Sequence, residues 1–136
     1  MVKQYEISLR SYSRGYHLIT KEILSQIESF PETGMINLFI KHTSAGLTIN
    51  ENADSSVRVD FESSMNKLFP ENAPNYTHTF EGSDDMPAHL KTSVVGVSLT
   101  IPITNGRLNL GTWQGVYLCE FRNRGGKRNI VVTVFS

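Results

Sequence analysis

From Gln4 to Leu9 apolar and polar positions partly alternate, and short β-prone runs recur at Gly34 to Lys41 and at Leu47 to Asn50. Such runs predict strands with one face turned inward. Between the first two, Thr20 can cap a helix that carries Ile23, Leu24, Ile27 and Phe30 on one face, with Pro31 ending it. A second helix is predicted to start at Asp54, whose carboxylate can accept from first-turn amides, and to place Val57, Phe61, Met65 and Leu68 on one stripe. Asp60 falls on the flank of that stripe. Val59 points the other way, which favours a contact with another subunit.

The segment Pro70 to Pro87 has no sustained period and is long for a connection in a compact domain, so a functional loop is expected there. Asp85 can cap a short helix through His89 and Lys91, with Pro87 tolerated in its first turn. Val94 to Ile101 then reads as strand. Asn105-Gly106 is a two-residue turn signal, and Arg124-Gly125-Gly126 separates two β-prone runs, Val116 to Phe121 and Asn129 to Phe135. Hairpins and an antiparallel sheet are therefore expected to close the chain. The pattern predicts one α+β domain over 1–136, β-rich and sandwich-like with mostly antiparallel sheet, two main helices and one short one.

The 136 residues are enough for one hydrophobic core. Lys plus Arg and Asp plus Glu number 13 each, a balance that gives no bulk attraction to nucleic acid or to an anionic membrane. No run approaches the ~20 apolar residues of a spanning helix. The lone Cys119 can form no intrachain disulfide and sits in an apolar strand, an inert core thiol in a cytoplasmic protein.

The chemistry is concentrated in a few segments. His42 ends a predicted strand and precedes Thr43-Ser44-Ala45-Gly46, a small polar turn whose hydroxyls and amides can hold an anion. His78 stands in the long loop before Glu81, Asp84 and Asp85, and His89 on the helix beyond them. Three imidazoles meeting in space make a zinc-type site with an open position, although the intervals of 36 and 11 residues form no local metal motif. Asp84-Asp85 can alternatively hold Mg²⁺ with a phosphorylated substrate, or simply cap the helix. Lys91, Arg107, Arg122, Arg124, Lys127 and Arg128 are candidate phosphate partners, against the ordinary reading of solvated cations. Trp113 and Gln114, between Gly111 and Gly115, can pack on a ligand or, for the indole, in the core. His17 reads as part of an ordinary loop.

Taken together, His42-Thr43-Ser44-Ala45, Asn50-Glu51-Asn52, Asp60, Tyr76-Thr77-His78, Glu81 through Lys91 and Gly111-Thr112-Trp113-Gln114-Gly115 resemble, in order and spacing, the motif series of the YjbQ-like family. The resemblance implies a homotrimer with these residues around a pocket near a subunit interface. It also implies a weak secondary thiamine-phosphate synthase activity, joining a pyrimidine diphosphate to a thiazole phosphate with release of pyrophosphate. Carried onto this chain, His42, His78 and His89 hold a divalent metal, zinc or Mg²⁺, or act as acid and base, with Asp60 and Asp84 assisting. Thr43, Ser44 and Lys91 then contact an anion, and Trp113 and Gln114 line the site. Two other classes remain open: a metal-dependent hydrolase using a histidine-bound water with Glu81 or Asp84 as base, and a non-catalytic trimeric binder of metal or small molecules.

Overall fold

Strand β1 (Val2–Ser8) runs antiparallel to β8 (Asn129–Phe135), with Val2 opposite Phe135, so both chain ends share one sheet. The computed structural model describes all residues, 1–136. On the other side of β8 lies β3 (Thr33–Ile40), followed by β5 (Ser98–Thr104) and the two-residue β6 (Arg107–Leu108), giving the order β1-β8-β3-β5-β6. A smaller antiparallel sheet places β7 (Gln114–Glu120) between β2 (Gly15–Leu18) and β4 (Ala45–Glu51).

The period of two along the strands decides the layering. Ile36, Leu38 and Ile40 of β3 join Ile101, Ile103, Ile130, Val132 and Val134 of its neighbours in one core. Ala45, Leu47, Val116 and Leu118 of the smaller sheet complete the same core from the other side. Burying each large aliphatic side chain contributes about 1.5–3 kcal/mol. The alternate residues of β7, Tyr117 and Cys119, enter a second cluster with Tyr16, Ala88 and Phe121. Helix α2 (Ser55–Leu68) packs Phe61 and Met65 on this cluster and α3 (Asp85–Val95) adds Val95. The small sheet is thus the middle layer between the large sheet and two helices, and β7 is buried on both faces.

An α+β domain of antiparallel sheets with three helices is what the pattern predicts, but several elements differ in detail. The first helix, α1, spans only Thr20–Leu24. Its end is tightened by Gln26 N–H donating to Ile23 O and by the Ser25 hydroxyl bonding back to Glu22 O at 2.8 Å, an alternative to helix that serine offers. Thr20 does not cap it; its hydroxyl accepts from the Val116 N–H at 2.9 Å. The predicted short helix is instead long, and the residues from Val94 toward β5 are shared between its last turn and a Gly96 bend with φ +101. Gly15–Leu18 is a strand, not a loop, because its backbone completes the edge of the β7 sheet. β7 and β8 do not form a hairpin: they belong to different sheets, and the chain crosses between layers through Arg124-Gly125-Gly126. Asn105 and Gly106, at φ +53 and +71, form the predicted tight turn between β5 and β6.

Two features seat α3. Leu47 N–H donates to Gly96 O at 3.1 Å and Ile40 N–H to Val97 O at 2.9 Å, tying the end of the helix to β4 and β3. Gly46 leaves the necessary room, since a Cβ there would lie 2.7 Å from Gly96 O.

Candidate metal centre

Asp85 opens α3 and does not cap it; the capping position belongs to Asp84, whose side chain makes no cap hydrogen bond. The carboxylate of Asp85 turns instead to the histidines. His78 Nε2 lies 2.6 Å from Asp85 Oδ2, and His89 Nε2 lies 3.0 Å from the same oxygen. The ligand atoms of His78, Asp85 and His89 all fall within 4.8 Å of one another. Asp85 and His89 are four residues apart on a helix and so share a face, while the long loop returns His78 to meet them.

His89 and Asp85 are held from behind. His89 Nδ1–H donates to the Thr43 carbonyl at 2.9 Å, which leaves its Nε2 free to bind. Arg122 spans both aspartates: Nη1 donates to Asp85 Oδ1, Nε to Asp84 Oδ2 at 3.0 Å, and Nη2 to Glu81 O at 2.9 Å. Burial works against a charged Asp85, but the hydrogen bond from His78 and the charges of His89 and Arg122 outweigh it and hold the carboxyl below its ordinary range. Asp84 is likewise held low against its burial, by the Asn123 N–H and by Arg122. Its carboxylate faces Arg122 and not the imidazoles.

Beside the cluster is a cavity of about 390 Å³ lined by His42, Thr43, His89, Thr92, Ser93, Gly96 and Val97. His42 therefore shares a cavity wall with His89 but is not among the three clustered ligands; its Nε2 accepts from the Asn129 N–H at 2.8 Å. Ser44 is buried and its hydroxyl accepts from Arg128 Nη2 at 2.9 Å, so of the two hydroxyls in that turn only Thr43 lines the cavity.

The other residues predicted for the site lie elsewhere. Lys91 is 1% exposed, and its ammonium donates to Asn66 Oδ1 at 2.7 Å beneath α2. Asp60 is exposed on α2. Trp113 is 64% exposed, which sets aside the core-packing reading of its indole, and Gln114 accepts from Gly111 N–H and lines a separate cavity with Leu18, Leu24 and Asn52. Gln114 sits six positions along β7 from Glu120, which pairs with Ala45 next to the Thr43-Ser44 turn. At ordinary strand rise that is about 20 Å.

Two participants escaped sequence reasoning. Arg122 and Arg128 read as phosphate partners or as solvated cations, yet the first orders the aspartates and the second is buried against Glu120. Asp85 read as a cap or, with Asp84, as a Mg²⁺ ligand, and its four-residue interval from His89 was a usable signal for the cluster. Cys119 is buried, and burial pushes its thiol well above the ordinary range, as an inert core residue requires.

Residues 5–136 match the family model described as UPF0047 protein YjbQ-like. The UPF0047 protein YjbQ of Salmonella typhimurium is 51% identical over 133 residues, 96% of each chain. An uncharacterised YjbQ/UPF0047-family protein of Clostridium acetobutylicum, known from a crystal structure, is 38% identical with a TM-score of 0.80, over 96% of this chain and 99% of that one. A YbjQ-like protein of unknown function from Sulfolobus solfataricus P2 has a TM-score of 0.86 over 100% of this chain and 98% of its own, and at 21% identity shows the shared fold.

Proposed function

The chain belongs to the UPF0047 protein YjbQ-like family, and from that premise we propose that it is a divalent-metal protein whose ion is held by His78, Asp85 and His89 and whose adjoining cavity receives a small substrate for hydrolysis. The observation that carries this reading is the meeting of two imidazole nitrogens at one carboxylate oxygen. With Nδ1–H committed to Thr43 O, a neutral His89 presents a lone pair at Nε2 directly to Asp85 Oδ2. Two lone pairs at 3.0 Å call for a cation between them, either a proton or a metal ion.

Two histidine nitrogens, one carboxylate and a free position are the donor set of catalytic zinc sites. A divalent ion there would polarise a substrate oxygen and lower the pKa of attacking water. Glu81, its carboxylate 4.0 Å from His78 Nε2 and largely exposed, would take up the proton. A thiamine-type transfer draws less support. Lys91, Arg122 and Arg128 are each engaged within the chain, and no lysine or arginine lines the cavity to meet a diphosphate.

A homotrimer belongs to the same reading. Helix α2 has no buried residue, and Val59 and Leu68 are each 67% exposed, an apolar surface that association would cover; light scattering on the eluting protein reads the mass directly.

The test is elemental analysis of protein purified without a histidine tag, beside His78→Ala, His89→Ala, Asp85→Asn and His42→Ala. Near-stoichiometric zinc or another transition metal is expected in the wild type and in His42→Ala, and its loss in the other three. A folded wild type that neither carries metal nor takes it up from zinc-containing buffer would end the metal reading, and the hydrolase with it.

A further inference from the structure

His42 lies two residues beyond the end of β3, with one edge of its ring against the chain. The Asn129 amide can only donate, so the nitrogen it meets, Nε2, must carry a lone pair. In a neutral His42 the proton is then confined to Nδ1. No group of the chain accepts a hydrogen bond from that nitrogen, while the residue itself lines the cavity that His89 shares. The ring's pKa is also held below its ordinary value: burial disfavours the imidazolium, the charge of Arg128 acts in the same direction, Glu120 opposes it, and Lys41 adds a smaller push downward.

A second polar group on the same wall lacks a partner. Thr92 is 5% exposed and its hydroxyl oxygen has no hydrogen bond, although it lies three residues beyond His89 on α3 and lines the same cavity. A buried hydroxyl left unpaired costs about 1–3 kcal/mol. The imidazole N–H of His42 therefore meets a space without any lysine or arginine, while the unpaired Thr92 hydroxyl is enclosed within the wall behind it.

We infer that His42 is a donor that touches the ligand and not a base: its Nδ1–H binds the oxygen of a carboxyl-derived group, an ester, amide or monocarboxylate, seated in this cavity beside the His78, Asp85 and His89 centre. A base would need an unprotonated nitrogen toward the cavity, and the Asn129 N–H occupies the one lone pair the neutral ring has. A neutral donor that is in place before reaction stabilises charge developing on such an oxygen at no cost in reorganisation. The absence of free cations selects a neutral or singly charged group over a diphosphate. The inference rests on the proposed metal centre for its chemistry, but the position of the proton on His42 does not depend on a metal.

The experiment uses long-range proton–nitrogen NMR spectra of protein labelled with ¹⁵N-histidine at neutral pH, with acetate added to metal-free and to zinc-treated samples. His42 is expected in the neutral form with its proton on Nδ1, and its ring nitrogens shift as acetate binds. His42→Asn, whose amide replaces the N–H near the Nδ1 position, is expected to bind acetate within about threefold of the wild type, and His42→Phe about tenfold or more weakly, as for one hydrogen bond to a charged group. A proton on Nε2, an imidazolium at neutral pH, nitrogens unmoved by acetate in both samples, or equal loss in the two variants would each overturn it. Failure of the metal centre reads separately, as absence of zinc uptake while the His42 tautomer and its response to acetate persist.

Discussion

Arg128 and Glu120 meet in a two-pronged ion pair inside the protein, with Arg128 Nε 2.8 Å from Glu120 Oε1 and Nη2 2.6 Å from Oε2, at side-chain exposures of 6% and 0%. The same guanidinium holds Ser44, so the pair joins β7, the start of β8 and the turn after His42 into one support beneath the cavity wall. Removing one partner strands the other charge in a low-dielectric interior. Arg128→Ala is therefore expected to cost about 3–5 kcal/mol in urea unfolding, while the double change to Arg128→Met with Glu120→Leu recovers most of it. Equal destabilisation by single and double variants would mean that packing, not the stranded carboxylate, sets the cost.

Arg122 is the outer partner of Asp85 in the proposed metal centre. Loss of such a partner typically weakens metal binding 10- to 100-fold. Arg122→Ala is expected to keep one metal per chain and to bind zinc weaker by about that factor in a chelator competition. Unchanged affinity would separate Arg122 from the site.

The approach of α3 to β4 depends on Gly46 having no side chain. In Gly46→Ala the new methyl meets Gly96 O at 2.7 Å and Val95 Cγ1 at 3.1 Å. An overpacking cost of about 1–3 kcal/mol is expected, read as a lower thermal midpoint. Because α3 carries Asp85 and His89, zinc affinity should fall with it. Full affinity with lowered stability would show that the helix shifts as a rigid body without opening the site.

Asp54 caps α2, its Oδ1 accepting from Ser56 N–H at 2.9 Å and from the Ser56 hydroxyl at 2.7 Å, and these bonds hold its pKa below the ordinary 3.8. A carboxyl whose folded pKa is depressed contributes stability that is full above its unfolded value and is lost as pH falls through the folded one. The difference in urea midpoint between wild type and Asp54→Ala should accordingly be constant above about pH 5 and shrink below the ordinary carboxylate range. A difference independent of pH would assign the effect to helix propensity alone.

His78 and His89 are singled out by the motif series they share with the YjbQ-like family, because histidines beside an acidic loop are by themselves more often solvated than functional. Asp85 could be separated from a simple cap only by its four-residue interval from His89, since an aspartate at a helix start satisfies first-turn amides in the ordinary case. Its carboxylate is drawn away by Arg122, which is 37 residues distant in the chain and unreadable as a partner beforehand. Lys91 belonged with the phosphate candidates by charge alone; the position of α2 over it, bringing Asn66 to 2.7 Å, decides that it is enclosed.

Neighbours along the chain dictate the antiparallel strands, the cap at Asp54, the turn at Asn105-Gly106 and the inward face of the small sheet. Periodicity and side-chain chemistry act over a few residues, so these features are legible wherever they occur. Which histidines meet is a property of the folded layers. The crossing from β7 to β8 between sheets and the seating of α3 on Gly46 bring His89 against Thr43 O and leave His42 bonded to Asn129. Those contacts, across 46 and 87 residues, depend on how layers pack and on where a backbone amide is left without another partner, and no local pattern encodes them.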